Sequence, residues 1–142
     1  MYFTKENIKN KKITIIGLKK SGYSAAILAY DFGAEVFVSD CEDDKDTRIN
    51  YDRLVKKGIK CEIGKHSDHI FNSNFWVISP GVPKDIDVIH KAEKLNIPII
   101  GEIEFASKFI NKPIVAVTGS NGKTTTVNIL FEILKVGGYK PL

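Results

Sequence analysis

The alternation of short apolar runs with helix-length amphipathic segments constrains the fold of this chain more than any other feature. The apolar runs, rich in valine and isoleucine, lie at 12–17, 35–40, 60–64, 75–81, 97–102 and 113–119. The amphipathic segments indicate helices at 21–32, 47–57, 85–95, 102–109 and 123–136. This pattern is typical of parallel sheets, whose strands are buried on both faces and joined by helical crossovers. The sequence predicts an α/β fold, a Rossmann-like five-stranded parallel sheet with helices on both faces, followed by a terminal βα unit.

The final strand and helix of the pattern are set apart from the rest. The segment 109–113 follows five strands that could complete a sheet, and only one strand, one loop and one helix come after it. A lone strand and helix cannot bury their apolar faces. We therefore expect a complete domain at 1–111 and the truncated start of a second domain at 112–142. The apolar residues left uncovered in the second part also predict self-association, packing on the first domain or poor order.

Composition and charge exclude several classes of protein. The formal net charge is +4 over 142 residues, but the lysines are scattered and only Arg48 and Arg53 are arginines, which argues against a nucleic-acid partner. Cys41 and Cys61 have no metal or redox spacing. Residues 1–12 do not resemble a signal peptide, and no apolar run approaches membrane-spanning length. We therefore expect a cytoplasmic protein without a membrane partner.

A glycine-rich turn follows the first strand and opens the first helix. Gly17 and Gly22 match two positions of the dinucleotide fingerprint G-x-G-x-x-G, but Lys19 replaces the glycine that lets the backbone approach a pyrophosphate. This replacement weakens the interpretation of the turn as a nicotinamide- or flavin-binding site. The helix N-terminus still carries a partial positive charge that favours phosphate.

Two further positions follow strands at the expected ligand edge of the sheet. Asp40 ends the second strand, where a carboxylate can accept a hydrogen bond from a ribose hydroxyl or a base N–H. Gly81, within "SPGVP", follows the fourth strand. Open α/β sheets bind ligands at the carboxyl ends of their strands, which makes both residues candidates for a substrate site.

A second glycine-rich segment has the context of a phosphate loop, between the last apolar run and the last helix. The predicted nucleotide-binding residues are Gly119, Ser120, Asn121, Gly122, Lys123, Thr124 and Thr125. Loop amides can converge on phosphate oxygens, Lys123 can offer a cation, and the Thr124 hydroxyl can bind Mg²⁺. These two side chains are the predicted catalytic residues. The loop is a short variety, because Val117 stands where the general pattern has glycine.

Four segments, in chain order, resemble those of the Mur ligase family, and within it the branch that adds D-glutamate. They are "GLKKSG" (17–22), "VSD" (38–40), "SPGVP" (79–83) with "GEIE" (101–104), and "VTGSNGKTTT" (117–126). The resemblance implies an ATP- and Mg²⁺-dependent, amide-forming ligase of peptidoglycan synthesis with three domains. It also implies UDP-N-acetylmuramoyl-L-alanine and D-glutamate as substrates. This chain would cover only about the first third of such an enzyme and would be inactive alone.

The resemblance also implies roles for individual residues. The turn formed by Gly17, Lys20 and Ser21 would meet the UDP diphosphate, Asp40 would meet the uracil, and Gly81 would pass close to the substrate. Lys19, Cys41 and Glu42 depart from the commoner family pattern.

Two other interpretations of the sequence remain open. One is a non-enzymatic module that senses a dinucleotide at the first glycine turn. The other is a small phosphate-loop kinase or ATPase, although such a fold carries its loop on the first strand and not after about 110 residues. His66 and His69 have near-metal spacing but no second ligand pair, so we expect a surface loop there.

Overall fold

The computed structural model describes residues 3–83 and 85–141. Residues 1, 2 and 84, which belong to the first predicted domain, and residue 142, at the end of the second, lie outside this part. Backbone contacts divide the chain into two compact units, Met1–Asn111 (unit 1) and Lys112–Leu142 (unit 2), which are described separately.

Unit 1 is built on one sheet of five parallel strands in the order β3-β2-β1-β4-β5. The strands are β1 (Lys12–Ile16), β2 (Glu35–Asp40), β3 (Lys60–Ile63), β4 (Phe75–Ile78) and β5 (Ile99–Gly101). The chain adds β2 and β3 on one side of β1 and then returns to add β4 and β5 on the other. The five-stranded parallel sheet predicted from the sequence is confirmed.

Helices connect these strands, as the amphipathic segments predict. Those of unit 1 are α1 (Lys20–Asp31), α2 (Lys45–Lys56), α3 (Asp87–Lys94) and α4 (Glu102–Ser107), together with a 3-10 helix at Asp68–Phe71 that the sequence pattern does not predict. Unit 2 contributes α5 (Lys123–Val136). None of the helices in the described ranges is both long and apolar enough to cross a membrane.

The apolar core lies on both faces of the sheet because side chains alternate along each strand. Ile13 and Ile15 of β1 point to the face covered by α1, α2 and α4, and both are buried. Ile16 and Trp76 point to the opposite face, where α3 and the 3-10 helix pack. The core is therefore two-sided, and the helices leave only the strand ends accessible to a ligand.

The predicted strand at 113–119 is wrong. Among the described residues no neighbouring strand pairs with this segment, which runs as irregular chain up to the loop before α5. Its apolar pattern is that of a strand, but a strand is completed only by hydrogen bonds to a partner. Ile114 and Val115 are accordingly exposed. The predicted helix at 123–136 agrees with α5.

Candidate functional site

The turn between β1 and α1 is packed tightly against the chain that follows β4. Gly17 has a φ of +97°, and a Cβ at this position would lie 2.8 Å from Ser79 Cβ and 3.1 Å from Val82 Cγ2. The Gly17 amide donates to the Ser39 carbonyl at the end of β2 (2.9 Å). Only glycine satisfies both the left-handed backbone and the lack of space, so the turn is fixed at the point where three strands end.

The N-terminus of α1 is held close to this turn by Gly22. A Cβ on Gly22 would lie 1.9 Å from the Gly17 carbonyl oxygen, so the absence of a side chain lets the helix begin directly over the strand end. The Tyr23 amide donates to the Lys19 carbonyl (2.9 Å). The preceding amides of Lys20 and Ser21 have no acceptor within the helix, as at any helix start. Both side chains are exposed, and the helix N-terminus is open to an anion.

Asp40 is buried and braces the two loops at the ends of β1 and β2. Its Oδ2 accepts the Leu18 amide (2.6 Å) and its Oδ1 accepts the Glu42 amide (2.8 Å). The sequence suggests Asp40 as a ligand contact and does not reveal this bracing. Each carboxylate oxygen keeps a second lone pair. Contact with a base therefore remains compatible with the brace, and the uracil role stays a prediction.

Three more polar residues, which were not among the predicted site residues, form hydrogen bonds at or beside the same turn. Ser79 Oγ donates to Glu102 Oε1 (2.5 Å), and both residues are buried beside Gly17. Asn50 Nδ2 donates to the Leu18 carbonyl (2.9 Å) from α2. The signal for Ser79 and Glu102 was their place in "SPGVP" and "GEIE", directly after two neighbouring strands. No local signal marks Asn50, which lies within a helix 32 residues beyond Leu18.

Lys19 and Glu42, which lie in neighbouring loops, contact each other. Lys19 Nζ lies 2.7 Å from Glu42 Oε2, and about half or more of each side chain is exposed. The hydrogen bond and the charge of Glu42 raise the pKa of Lys19 above its ordinary value. The pair joins the loop before α1 to the loop after β2, above the buried Asp40 brace.

A second polar cluster lies where β2 and β3 end. The buried Ser39 Oγ is 2.7 Å from both Glu62 Oε1 and His66 Nδ1. Burial raises the pKa of Glu62, but hydrogen bonds from Ser67 and Ser39 outweigh it and lower the net pKa, so the carboxylate is ionised. The single hydroxyl hydrogen therefore goes to Glu62, and His66 donates its Nδ1–H to Ser39 Oγ. Burial lowers the pKa of His66, which favours this neutral form.

This cluster corrects the expectation of a simple surface loop at the two histidines. His69 is exposed, as expected, but His66 is half-buried and bonded to Ser39. The sequence could not reveal the contact because Ser39 and His66 lie 27 residues apart on neighbouring strand ends.

The two cysteines of unit 1 have different surroundings. Cys41 is exposed and directly follows Asp40, whereas Cys61 is half-buried in β3. Burial raises the pKa of the Cys61 thiol to about 12.

The predicted substrate residues of unit 1 lie at one edge of the sheet. Gly17, Lys20 and Ser21 follow β1, Asp40 ends β2, and Gly81 follows β4, all at carboxyl ends of adjacent strands. Nothing lies within 4 Å of a Cβ built on Gly81, so this turn faces open space. A cavity of about 700 Å³ lies instead at the amino ends of β1, β2 and β3, and it contains none of the predicted site residues.

The glycine-rich loop of unit 2 ends at the start of α5. Gly122 precedes the helix with a φ of +76°, and the Thr126 amide donates to its carbonyl (2.9 Å). The ammonium of Lys123 folds back onto the loop and donates to the carbonyls of Gly119 and Ser120. Thr124 and Thr125 are exposed in the first turn of α5. The amides of this turn are therefore accessible, and Lys123 lies beside them.

Comparison with known proteins gives the same family for most of the chain. The family model for the Mur ligase MurD-like N-terminal domain matches residues 11–101. The chain is 42% identical over 137 residues to the UDP-N-acetylmuramoylalanine–D-glutamate ligase of Koribacter versatilis and 40% identical over 138 residues to that of Streptococcus pyogenes serotype M1. Each alignment covers 96% of this chain but 30% of the relative. The chain thus spans about 30% of the length of these curated relatives.

Solved structures of related ligases have the same fold. The murein peptide ligase of Psychrobacter arcticus matches 91% of this chain and 27% of its own, with a TM-score of 0.63 and 26% identity. The UDP-N-acetylmuramate–alanine ligase MurC of Thermotoga maritima matches 89% of this chain and 29% of its own, with a TM-score of 0.59 and 30% identity. The family model, the sequence identity and the shared fold confirm the resemblance seen in the four motifs: the chain belongs to the Mur ligase family, and residues 11–101 form its MurD-like N-terminal domain.

Proposed function

We propose that this chain is the first part of an ATP-dependent ligase that adds D-glutamate to UDP-N-acetylmuramoyl-L-alanine in the cytoplasm, during peptidoglycan synthesis. Unit 1 would hold the UDP part of the substrate, and unit 2 would begin the ATP-binding domain. The relatives at about 40% identity are UDP-N-acetylmuramoylalanine–D-glutamate ligases, which supports this substrate pair.

The observation that carries the UDP role is the position of the α1 N-terminus. The strand order changes direction between β1 and β4, and open α/β sheets bind ligands in the crevice at such a switch point. The turn at Gly17 and the open amides of Lys20 and Ser21 lie at this point. A diphosphate there would accept hydrogen bonds from these amides and gain from the positive end of the helix dipole.

The rest of the edge suits the remaining parts of a nucleotide. Asp40 lies at the end of β2, on the side of the turn where a ribose or base would extend, and its free lone pairs can accept a base N–H. Gly81 offers open space after β4 for the sugar side of the substrate. The buried Ser79–Glu102 hydrogen bond would keep this turn in register with Gly17.

The residues of the second loop fit an ATP phosphate chain and Mg²⁺. No side chain fills the space above Gly122, and Lys123 carries the cation that would move from the loop carbonyls to the phosphates. Thr124 would offer its hydroxyl to Mg²⁺, alongside phosphate oxygens. ATP would supply the phosphoryl group that activates the substrate carboxylate, leaving ADP, and the amine of D-glutamate would then displace phosphate to form the amide; Mg²⁺ would offset charge on the phosphates. Loop amides and Lys123 would act by holding and neutralising charge.

Calorimetric titration of the 142-residue chain with UDP, NAD and ATP tests the proposal. We expect weak but saturable UDP binding, tighter than NAD, because the relatives are ligases of a UDP-linked substrate and Lys19 departs from the dinucleotide fingerprint. A Ser21→Pro variant removes one of the amides at the α1 start and should weaken UDP binding while sparing any ATP binding. Equal or tighter NAD binding would instead support the dinucleotide-sensing module.

A further inference from the structure

Two contacts join the β1–α1 loop to the β2–α2 loop beside the candidate UDP site. The inner contact is the buried Asp40 carboxylate, which accepts the amides of Leu18 and Glu42. The outer contact is the ion pair between Lys19 Nζ and Glu42 Oε2 at 2.7 Å. Their side chains are 61% and 51% exposed, so this contact can open at low cost.

The outer contact places a carboxylate beside the helix start that an anionic ligand would use. Lys19 is the residue that precedes α1, and its own side chain does not cap the helix. The first turn of α1 contains no acidic residue. Glu42 is therefore the carboxylate that pairs with the Lys19 ammonium at this end of the helix, and it reaches there from the loop after β2.

We propose that Glu42 is an internal competitor for the diphosphate and that Lys19 is transferred from Glu42 to the ligand on binding. This inference rests on the proposed UDP role of unit 1. In the free protein the Glu42 carboxylate is paired with the Lys19 ammonium. In the complex the phosphate oxygens take that ammonium, and Glu42 turns to solvent while its amide stays on Asp40. The pair thus determines how strongly the site holds an anion, and Lys19 and Glu42 act as affinity-setting residues.

The exchange predicts opposite effects for the two partners. Glu42→Gln should tighten UDP binding about two- to fivefold, because an exposed ion pair of ordinary strength no longer has to be broken. Lys19→Met should weaken UDP binding by a similar factor, because a cation is lost from the site. In the Lys19→Met background, Glu42→Gln should change affinity much less than it does alone, because the two side chains act through each other.

A matched control lies in the same loop. Asp43 and Arg48 form a second exposed pair, with Arg48 Nε 2.6 Å from Asp43 Oδ1. Asp43→Gln changes the net charge by the same amount as Glu42→Gln, so it reports the long-range electrostatic contribution alone. Thermal melts of all variants establish that each is folded.

The experiment is a titration of UDP into the wild-type chain and the Glu42→Gln, Lys19→Met, double and Asp43→Gln variants at low and moderate salt. Tighter binding by Glu42→Gln than by Asp43→Gln, lost in the double variant, supports the exchange. Equal affinities for Glu42→Gln and Asp43→Gln, or weaker binding by Glu42→Gln, would overturn it while leaving the UDP role intact. Failure of the wild-type chain to bind UDP at any salt concentration would overturn the UDP role itself.

Discussion

The molecule contains two glycine-rich turns that each open a helix, and they differ in what surrounds them. At the first turn, a Cβ on Gly17 or Gly22 would collide with atoms less than 3 Å away, and buried carboxylates tie the loops together. At the second turn, nothing lies within 4 Å of a Cβ on Gly122, and α5 has no buried residue in the described part of the chain. A local glycine pattern is thus sufficient to start a helix with open amides. Fixing those amides for a ligand takes contacts from distant strands, which in the described residues only the first turn has.

The largest expected difference between the two regions is the cost of removing an aromatic side chain. Phe105 is fully buried and packs against Phe3, 5.3 Å between ring centroids, whereas Phe131 of α5 is 38% exposed. We expect Phe105→Ala to lower the free energy of unfolding by about 3 to 5 kcal/mol. Phe131→Ala should cost less than about 0.5 kcal/mol.

The single tryptophan, Trp76, is buried in unit 1, so its fluorescence during urea unfolding measures the cost of Phe105→Ala, while amide hydrogen exchange across α5 measures the cost of Phe131→Ala. A large cost for Phe131→Ala would mean that α5 is covered in solution, for example by a second copy of the chain, and would break the contrast.

The next largest difference is expected when alanine replaces the glycine at each helix start. Gly22→Ala places a methyl group 1.9 Å from the Gly17 carbonyl, and the helix must move off the strand end, which should cost about 3 kcal/mol and abolish UDP binding. Gly122→Ala meets no atom and should cost only about 1 kcal/mol, from its left-handed backbone, confined to the start of α5.

Urea unfolding followed at Trp76 should detect the first change and not the second, while amide hydrogen exchange across α5 should show the reverse. Equal effects of the two substitutions on Trp76 unfolding would contradict the proposed difference in packing.

Removing one acceptor of the Asp40 brace should have a smaller effect on the stability of the first turn. Asp40→Asn replaces one acceptor oxygen with an amide donor that faces either the Leu18 or the Glu42 N–H. We expect a loss of about 1 to 3 kcal/mol in unfolding free energy, together with weaker UDP binding. Asp43→Asn, at an exposed position two residues after Cys41, is the control and should change neither. An Asp40→Asn variant of wild-type stability would leave Asp40 as a ligand contact only.

The smallest expected effect is a pH dependence confined to unit 1. Because burial lowers the pKa of His66, the folded chain binds protons less readily than the unfolded chain, and stability should fall as the pH drops below the ordinary histidine value of about 6.5. Stability should fall further at more acidic pH, because the pKa of Glu62 is lowered in the folded chain. His66→Gln should flatten the decline in melting temperature between about pH 7 and pH 5.5.

His90 provides the opposite sign as a control. Its hydrogen bond with Asp85 raises its pKa, so its contribution is present at low pH and is lost as the pH rises through the raised value. His90→Asn should therefore make the acid-side decline steeper. If His66→Gln leaves the slope unchanged, His66 is not buried in solution.

Local pattern alone predicts a large part of this fold. The predicted limits of β2 and α5 match the structure, because side-chain periodicity and a glycine before the helix are local signals. The strand predicted at 113–119 is wrong because pairing is not a local property. The polar contacts Ser39–His66, Ser79–Glu102 and Lys19–Glu42 were also beyond prediction, since each joins two segments that follow or end different strands, and their proximity depends on strand order. The residues proposed from motifs lie at one sheet edge, but the side chains that fix this edge emerge only from the fold.

The two cysteines differ enough in exposure and pKa for one of them to be labelled selectively. Maleimides react with thiolates, and the pKa of about 12 leaves the half-buried Cys61 almost wholly protonated at neutral pH. Labelling should therefore favour the exposed Cys41, which lies in the chain between the Asp40 brace and Glu42. A fluorophore attached there would report the opening of the outer ion pair as a change in emission, in the native sequence and without an introduced residue.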